Sequence, residues 1–304
     1  MPRAALYDHT GGPDVLYIGG VPEAEPGPGE VVLSVRAAGL NPFDAKLLSG
    51  FVPSDVPFPR QVGSDVAGVV SVVGPGAMYG DGTPVAVGDD VLGRASSGSA
   101  AEEAVALASE LVRRPSSVGI AVAGGLWVAG LTAVSVLTTV PVGPGDVVLV
   151  GGAAGAVGFV AAQLAVEAGA RVIGTASERN HELLRSVGVE PVAYGRELVS
   201  SLRGVDVTAV YDCHGRDALD AAVALGVPVD RMVAIAAYDA LDELGVNNVE
   251  RSARTAQNLA GLVDRVARGV LRLPVAATFA LDDIVAAFRA LEAPHAPGKI
   301  IVTA

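Results

Sequence analysis

Hydrophobic and polar positions divide the chain into three stretches of different rhythm. To about Pro115 the pattern is short and strand-like. Val31-Val32-Leu33-Ser34-Val35-Arg36-Ala37 alternates as a half-buried strand after the turn-rich PEAEPGPGE. Asp65 to Gly74 predicts a second strand, closed by Gly74-Pro75-Gly76, and Gly88 to Gly93 a turn leading into a third. Dense turns between short strands predict a β-rich, barrel-like domain. From Ile120 to Val140 the chain reads as one apolar helix. The continuous apolar run Asp146 to Val150 then marks a strand buried on both faces of a parallel sheet. A helix to about Ala168, a strand at Arg171–Thr175, a helix at Asn180–Val187 and a strand at Pro191–Ala193 follow. Strands at Val207–Tyr211 and Arg231–Ala236 complete an alternation that predicts a doubly wound, Rossmann-type α/β domain. The tail predicts a short polar strand at Val246–Val249, a helix at Ser252–Gly269, a strand at Leu273–Phe279, a helix at Asp282–Leu291 and a last strand at Gly298–Val302.

Composition narrows this picture. The 304 residues are 51% hydrophobic and only 4% aromatic, so the core must be built from Ala, Val and Leu. At roughly 150 residues per domain, two domains are expected. A net charge of −12 without a polybasic block argues against nucleic acid or an anionic membrane as partner. The single cysteine, Cys213, excludes an internal disulfide framework and a cysteine-rich metal cluster, and reads as a small filler. The N-terminus lacks the apolar core of a signal peptide, and Ile120–Leu137 is rich in Gly, Ala and Thr like a buried helix. A cytoplasmic protein is the expectation.

The sharpest chemical signal is VVLVGGAAGAVGFVAAQLA. A buried strand runs into Gly152-x-x-Gly155-x-x-Gly158 and a helix opens there. Such glycines allow a tight turn, close backbone approach to a pyrophosphate and tight helix–strand packing, with the helix N-terminus supplying positive charge. Roughly 20 residues on, where an NAD site places an acid, the chain has Ala176 and Ser177, with Arg179 two residues later. Ser177 and Arg179 suit a 2′-phosphate, which favours NADP(H), although Glu178 is adjacent. Ser177 serves equally as a helix N-cap beside a solvated Arg179.

Several separate motifs resemble the medium-chain dehydrogenase/reductase superfamily, in its zinc-independent quinone oxidoreductase branch. They are AAGLNPFDAKLLSG (37–50), VGSDVAGVVSVVGPG (62–76), GDDVLG (88–93), GLTAVSVL (130–137), the glycine-rich segment 145–165, VIGTASERNHELLRSVG (172–188) and HAPGKIIV (295–302). The resemblance covers nearly the whole chain. It implies a substrate domain of residues 1–118 plus 251–304 around an inserted dinucleotide-binding domain of residues 119–250, and a homodimer. It also implies NADPH-dependent reduction of quinones or of the C=C bond of enones and enoyl thioesters.

Residue by residue, the resemblance sets Gly152, Ala153, Gly155, Ala156, Val157 and Gly158 on the pyrophosphate. Ser177, Arg179, Asn180 and Tyr194 would surround the 2′-phosphate, and Thr132 would lie near the nicotinamide. Lys299 would lie near the cofactor, with His214 and Ala236 at strand ends in its range; His214 reads equally as a surface histidine. Asn41 and Asp44 would sit at the catalytic cleft beside Phe43. Trp127 either walls the substrate pocket or packs between domains. Lys46 is a candidate proton donor, or one half of a surface pair with Asp44.

Zinc-dependent relatives have Cys at the position of Asn41 and His-Glu at Ser64-Asp65, so no metal site is expected. A catalytic zinc needs about three converging protein ligands, and His9, His181, His214 and His295 show no ligand spacing. Ala100–Ala104 replaces an aromatic stretch common in the family, which implies a more open cleft, and Pro297 stands where a basic residue is frequent. A dedicated enoyl reductase, and a non-catalytic NADPH-binding sensor or structural protein, are the alternative readings.

Overall fold

The computed structural model describes residues 1–293 and 297–304; the expectation on His295 lies outside the described residues. In chain order the strands are β1 (Arg3–Tyr7), β2 (Tyr17–Gly20), β3 (Glu30–Leu40), β4 (Arg60–Gln61), β5 (Asp65–Val73), β6 (Asp90–Arg94), β7 (Glu103–Leu107) and β8 (Val112–Arg113). They continue with β9 (Val147–Gly151), β10 (Arg171–Thr175), β11 (Glu190–Val192), β12 (Ala209–Asp212), β13 (Met232–Ala234), β14 (Asn247–Asn248), β15 (Val275–Ala280) and β16 (Lys299–Thr303). The helices are α1 (Pro42–Leu48), α2 (Ile120–Ala123), α3 (Leu126–Thr139), α4 (Ala156–Glu167), α5 (His181–Arg185), α6 (Leu198–Ser201), α7 (Asp217–Leu225), α8 (Tyr238–Leu244), α9 (Ala256–Ala267) and α10 (Ile284–Glu292). Contacts divide the chain into two units. One comprises Met1–Val128, Thr255–Val270 and Pro274–Ala304; the other comprises Ala129–Arg254 and Leu271–Leu273. The division falls inside α3.

The first unit is β-rich. Its larger sheet runs β15-β16-β3-β5-β6-β8, and its smaller one β2-β1-β4. The long strand β3 organises it. One edge pairs with β5, and the other is shared by β7 along residues 30–34 and by β16 along residues 38–40. Val31, Leu33 and Val35 of β3 enter one apolar cluster with Val66, Val70 and Leu111, whereas Ala38 and Leu40 enter another with Leu48, Phe288 and Ile300. A register shift between Val35 and Ala37 separates the two.

The second unit is the doubly wound half. Its six strands are all parallel, in the order β11-β10-β9-β12-β13-β14. Numbered within the unit this is 3-2-1-4-5-6, the dinucleotide-binding order, with its switch point at the carboxyl end of β9. Ala, Val and Leu dominate the core here, as the composition requires. Leu149, Val210, Leu219, Ala222 and Met232 form its centre.

Four expectations are corrected. Ile120–Val140 is not one helix but α2 and α3, broken at Gly124–Gly125. A Cβ on Gly124 would meet the Ala37 carbonyl oxygen at 2.8 Å, so the two backbones touch where the helix would have to continue. The helix expected from Ser252 begins at Ala256, because Thr255 caps it by accepting from Asn258 N–H at 3.1 Å. The expected Val246–Val249 strand shortens to β14, which pairs with β13 only through Val233 and Ala234. The segment after Leu40, read without secondary structure, is α1. Asp44 at its third position accepts from Asn41 N–H at 2.7 Å, the reciprocal contact of a capping box.

Candidate functional site

The sequence-selected residues fall into two groups, one in each unit. In the α/β unit the buried apolar strand β9 ends at Gly151, and the chain turns at Gly152 with φ +66° before α4 opens. Gly152 N–H donates to Thr175 Oγ at 3.0 Å, which ties the turn to the end of β10. A Cβ on Gly158 would stand 2.4 Å from the Gly152 carbonyl oxygen, so only glycine permits this helix–turn contact. Gly155 differs. Its added Cβ would meet only the Gly152 oxygen, at 3.3 Å, and no side chain caps α4 there. The first N–H groups of α4 therefore border open space at the switch point, and this cradle fits a dinucleotide pyrophosphate. Ala153 is buried; Ala156 and Val157 are half-buried on the first turn.

His214 is exposed beside the turn: its Cβ would lie 2.5 Å from a Cβ on Gly152. Past β10, Ser177 is half-buried and its hydroxyl accepts from Asn180 Nδ2 at 3.2 Å, while Arg179 and Tyr194 are exposed. Ala236 is half-buried just beyond β13. Thr132 is buried on α3, and its hydroxyl accepts from Arg254 at 3.3 Å.

Two residues here escaped the sequence reading. Thr175 anchors the turn. Asp212, the last residue of β12, is buried; its Oδ1 accepts from Gly215 N–H at 3.1 Å, and among the described residues its Oδ2 makes no hydrogen bond of good geometry. Burial pushes its carboxyl up to about 6 against the opposing pull of backbone N–H groups of Gly215, His214 and Ala237. An acid ending a buried parallel strand was the available signal. Burial also raises the half-exposed Cys213 thiol strongly, which disfavours a thiolate nucleophile.

In the β-rich unit the structure brings Asn41, Asp44 and Lys299 together with Asp65, a position the sequence marks only by its difference from zinc-dependent relatives. All four are buried. Lys299 Nζ donates to Asn41 Oδ1 and to Asp65 Oδ2, both at 2.7 Å. Asp65 Oδ1 accepts from Val128 N–H at 2.7 Å, in the first turn of α3. Burial raises the Asp44 carboxyl to about 6; the Asn41 N–H and the Lys299 charge pull it down, and Asp65 pushes it up. Lys46 is half-buried on α1 with its ammonium 5.9 Å from the Phe51 ring, and Phe43 is exposed. Trp127 stacks under the Arg94 guanidinium at 5.7 Å. Among the described residues no group of three His, Cys, Asp or Glu could hold a metal ion.

A 3-2-1-4-5-6 sheet with a glycine-built cradle at its switch point, in a chain that also has a β-rich unit, has the two-unit architecture of nucleotide-dependent dehydrogenases. Family models agree with it. Residues 27–142 match the alcohol dehydrogenase GroES-like domain, and residues 187–302 match the zinc-binding dehydrogenase domain. Among curated proteins, the chain is 33% identical to an NADPH-dependent alkenal/one oxidoreductase of Arabidopsis thaliana chloroplasts, over 99% of this chain and 79% of that protein. Among solved structures it is similar to a quinone oxidoreductase from Coxiella burnetii, with a TM-score of 0.89, 28% identity and coverage of 100% and 99% of the two chains. It is also similar to a mycobacterial protein solved with NADPH, with a TM-score of 0.88, 30% identity and coverage of 99% and 100%. The chain belongs to the medium-chain dehydrogenase/reductase superfamily. Some curated relatives are much longer. The match to a pikromycin polyketide synthase component of Streptomyces venezuelae, 33% identical over 91% of this chain, spans 8% of that protein.

Proposed function

We propose that this protein is an NADPH-dependent oxidoreductase that reduces a quinone, or the C=C bond of an α,β-unsaturated carbonyl compound, without zinc. The observation that carries this reading is the open glycine cradle at the switch point, followed by a strand end bearing Ser177 and Arg179 where an NAD site bears an acid. The NADPH-linked and quinone-linked names of the relatives support it. NADPH, when bound, supplies hydride. The backbone of Gly152, Ala153, Gly155, Ala156, Val157 and Gly158 would hold its pyrophosphate. Ser177, Arg179, Asn180 and Tyr194 would hold the 2′-phosphate, and Thr132, His214 and Ala236 would border the rest.

Residues 1–118 and 251–304 are assigned to the substrate domain and 119–250 to the nucleotide domain. In the former, Asn41, Asp44 and Lys46 would face the reacting carbonyl, with Phe43 and Trp127 walling the pocket. Lys46 would return a proton to the enolate or hydroquinone oxygen; a Lys46→Ala enzyme with unchanged turnover removes it from that step. The zinc-free assignment follows from the side chains at 41 and 65, whose oxygens already accept from an ammonium ion. Among the described residues no helix is long and apolar enough to cross a membrane, and we place the protein in the cytoplasm. A homodimer pairing through the free edge of β14 would cover exposed backbone groups; a monomer in sedimentation overturns it.

The polyketide synthase match favours a second reading, in which the enone is carried as a thioester. A steady-state screen of quinones, short enones and enoyl thioesters decides between them, with NADPH as donor and NADH as control. Oxidation of NADPH in preference to NADH by at least one acceptor class is expected. Tight NADPH binding without turnover on any acceptor would instead make the protein a non-catalytic NADPH-binding module.

A further inference from the structure

Lys299 follows Gly298, whose φ is +89° and whose added Cβ would stand 2.0 Å from the Pro274 carbonyl oxygen. This glycine is architectural: it lets the chain enter β16 at an angle that sends residue 299 inward. The lysine stem then passes between two more glycines. A Cβ on Gly39 would come within 2.9 Å of Lys299 Cε, and one on Gly125 within 3.0 Å of both Cγ and Cε. Glycines from β3 and from the α2–α3 break thus leave a channel for a stem that is 2% exposed.

The ammonium at the end of that channel donates to Asn41 Oδ1 and Asp65 Oδ2. An ammonium only donates, so the Asn41 oxygen must face it. The Asn41 amide nitrogen is thereby turned to the Gly39 carbonyl and Asp65 Oδ2, each at 3.3 Å. Asp65, neutralised on one oxygen, spends the other on the first turn of α3.

We propose that Lys299 is a positioning residue, an internal cation that sets the orientation of Asn41 and Asp65, rather than a group that touches the nicotinamide cofactor. Its effect on turnover rests on the function proposed above; its pairing with Asp65 does not. Charged groups around Asp65 are Lys299 from β16, Asp44 from α1 and Arg94 opposite it on β6. Without Lys299, Asp65 would be a buried carboxylate with no buried counter-ion among the described residues, and burial disfavours its charged form.

The test compares wild type, Lys299→Met and the double variant Lys299→Met/Asp65→Asn. Urea midpoints are measured from pH 5 to pH 8. The single variant is expected to lose midpoint relative to wild type as pH rises, because its folded state binds a proton at Asp65 that the unfolded chain releases. The double variant is expected to lose that extra dependence. NADPH Kd, titrated by fluorescence, is expected to change by less than threefold, while kcat falls at least tenfold. In Lys299→Ala, added ethylammonium is expected to restore turnover at least threefold and tetramethylammonium to restore none. A tenfold rise in NADPH Kd with an unchanged pH profile overturns the proposal and makes Lys299 a cofactor ligand. A single variant that fails to fold beside a double variant that folds supports the pair; flat profiles in two folded variants overturn it. If wild type reduces no acceptor, the functional reading falls while the pH profile and Kd still decide the role of Lys299.

Discussion

The two candidate regions are built in opposite ways. The glycine cradle is open and made of backbone: Gly152, Gly155 and Gly158 contribute by having no side chain. The Asn41–Asp65–Lys299 cluster is closed and made of side chains, with an ion pair whose members are 0% and 2% exposed. A backbone site needs local spacing and an approach path. A buried charge cluster needs mutual satisfaction, because each charge removed from water must find a partner. The first kind is designed for something arriving; the second holds its own parts in place.

The largest effect that can break this contrast is removal of one charge. Asp65→Asn leaves the Lys299 ammonium buried beside a neutral amide. Breaking a buried pair on one side costs about 3–5 kcal/mol, and a urea unfolding curve should show a loss of that size. A loss below ~1 kcal/mol would mean that the pair behaves like an exposed one.

Two neighbouring glycines sharpen the contrast from the other side. Gly158→Ala drives a Cβ to within 2.4 Å of a backbone oxygen and should cost about 1–3 kcal/mol of stability through forced backbone shifts. Gly155→Ala meets only one oxygen, at 3.3 Å, and should leave stability nearly unchanged while weakening NADPH binding. Equal stability losses at both positions would show that the cradle is packed rather than open.

Arg179 tests which phosphate the cradle serves. A charge-assisted hydrogen bond is worth about 1.5–3 kcal/mol, so Arg179→Ala should raise the NADPH Kd roughly tenfold to a hundredfold. NADH affinity should hold, since it lacks the 2′-phosphate. Parallel losses for both cofactors would take Arg179 away from that phosphate.

The same contrast explains what could be read in advance. The doubly wound half was legible because its information is local: a buried run, three spaced glycines and the next strand lie within about thirty residues. The short helix α1 was legible in principle through Asn41-x-x-Asp44, and an acid heading the apolar strand β5 was a signal for Asp65. The pairing of Asp65 with Lys299 was not, because the two are 234 positions apart and only the packing of β16 against β3 brings them together. The break at Gly124–Gly125 was hidden for the same reason. Apolar periodicity does not register that Ala37 lies against the helix backbone.

The smallest expected effect compares one buried carboxyl from each region. Burial raises both Asp44 and Asp212 to about 6. In the unfolded chain an aspartate titrates near ~4, so between roughly pH 4 and 6 the folded protein binds more protons than the unfolded chain at both positions. Stability from these groups is therefore fully present below about pH 4 and lost as pH rises through about 6. Asp44→Asn and Asp212→Asn should each flatten urea midpoints over that interval relative to wild type. Their surroundings differ: Asp44 is pulled down in part by the charge of Lys299, whereas Asp212 is pulled down by backbone N–H groups. Because both sites are buried, screening should alter either slope only weakly. A strong salt dependence at Asp44 with none at Asp212 would place the charge cluster within reach of solvent ions, and the division between an open backbone site and a closed charge site would fail at its closed end.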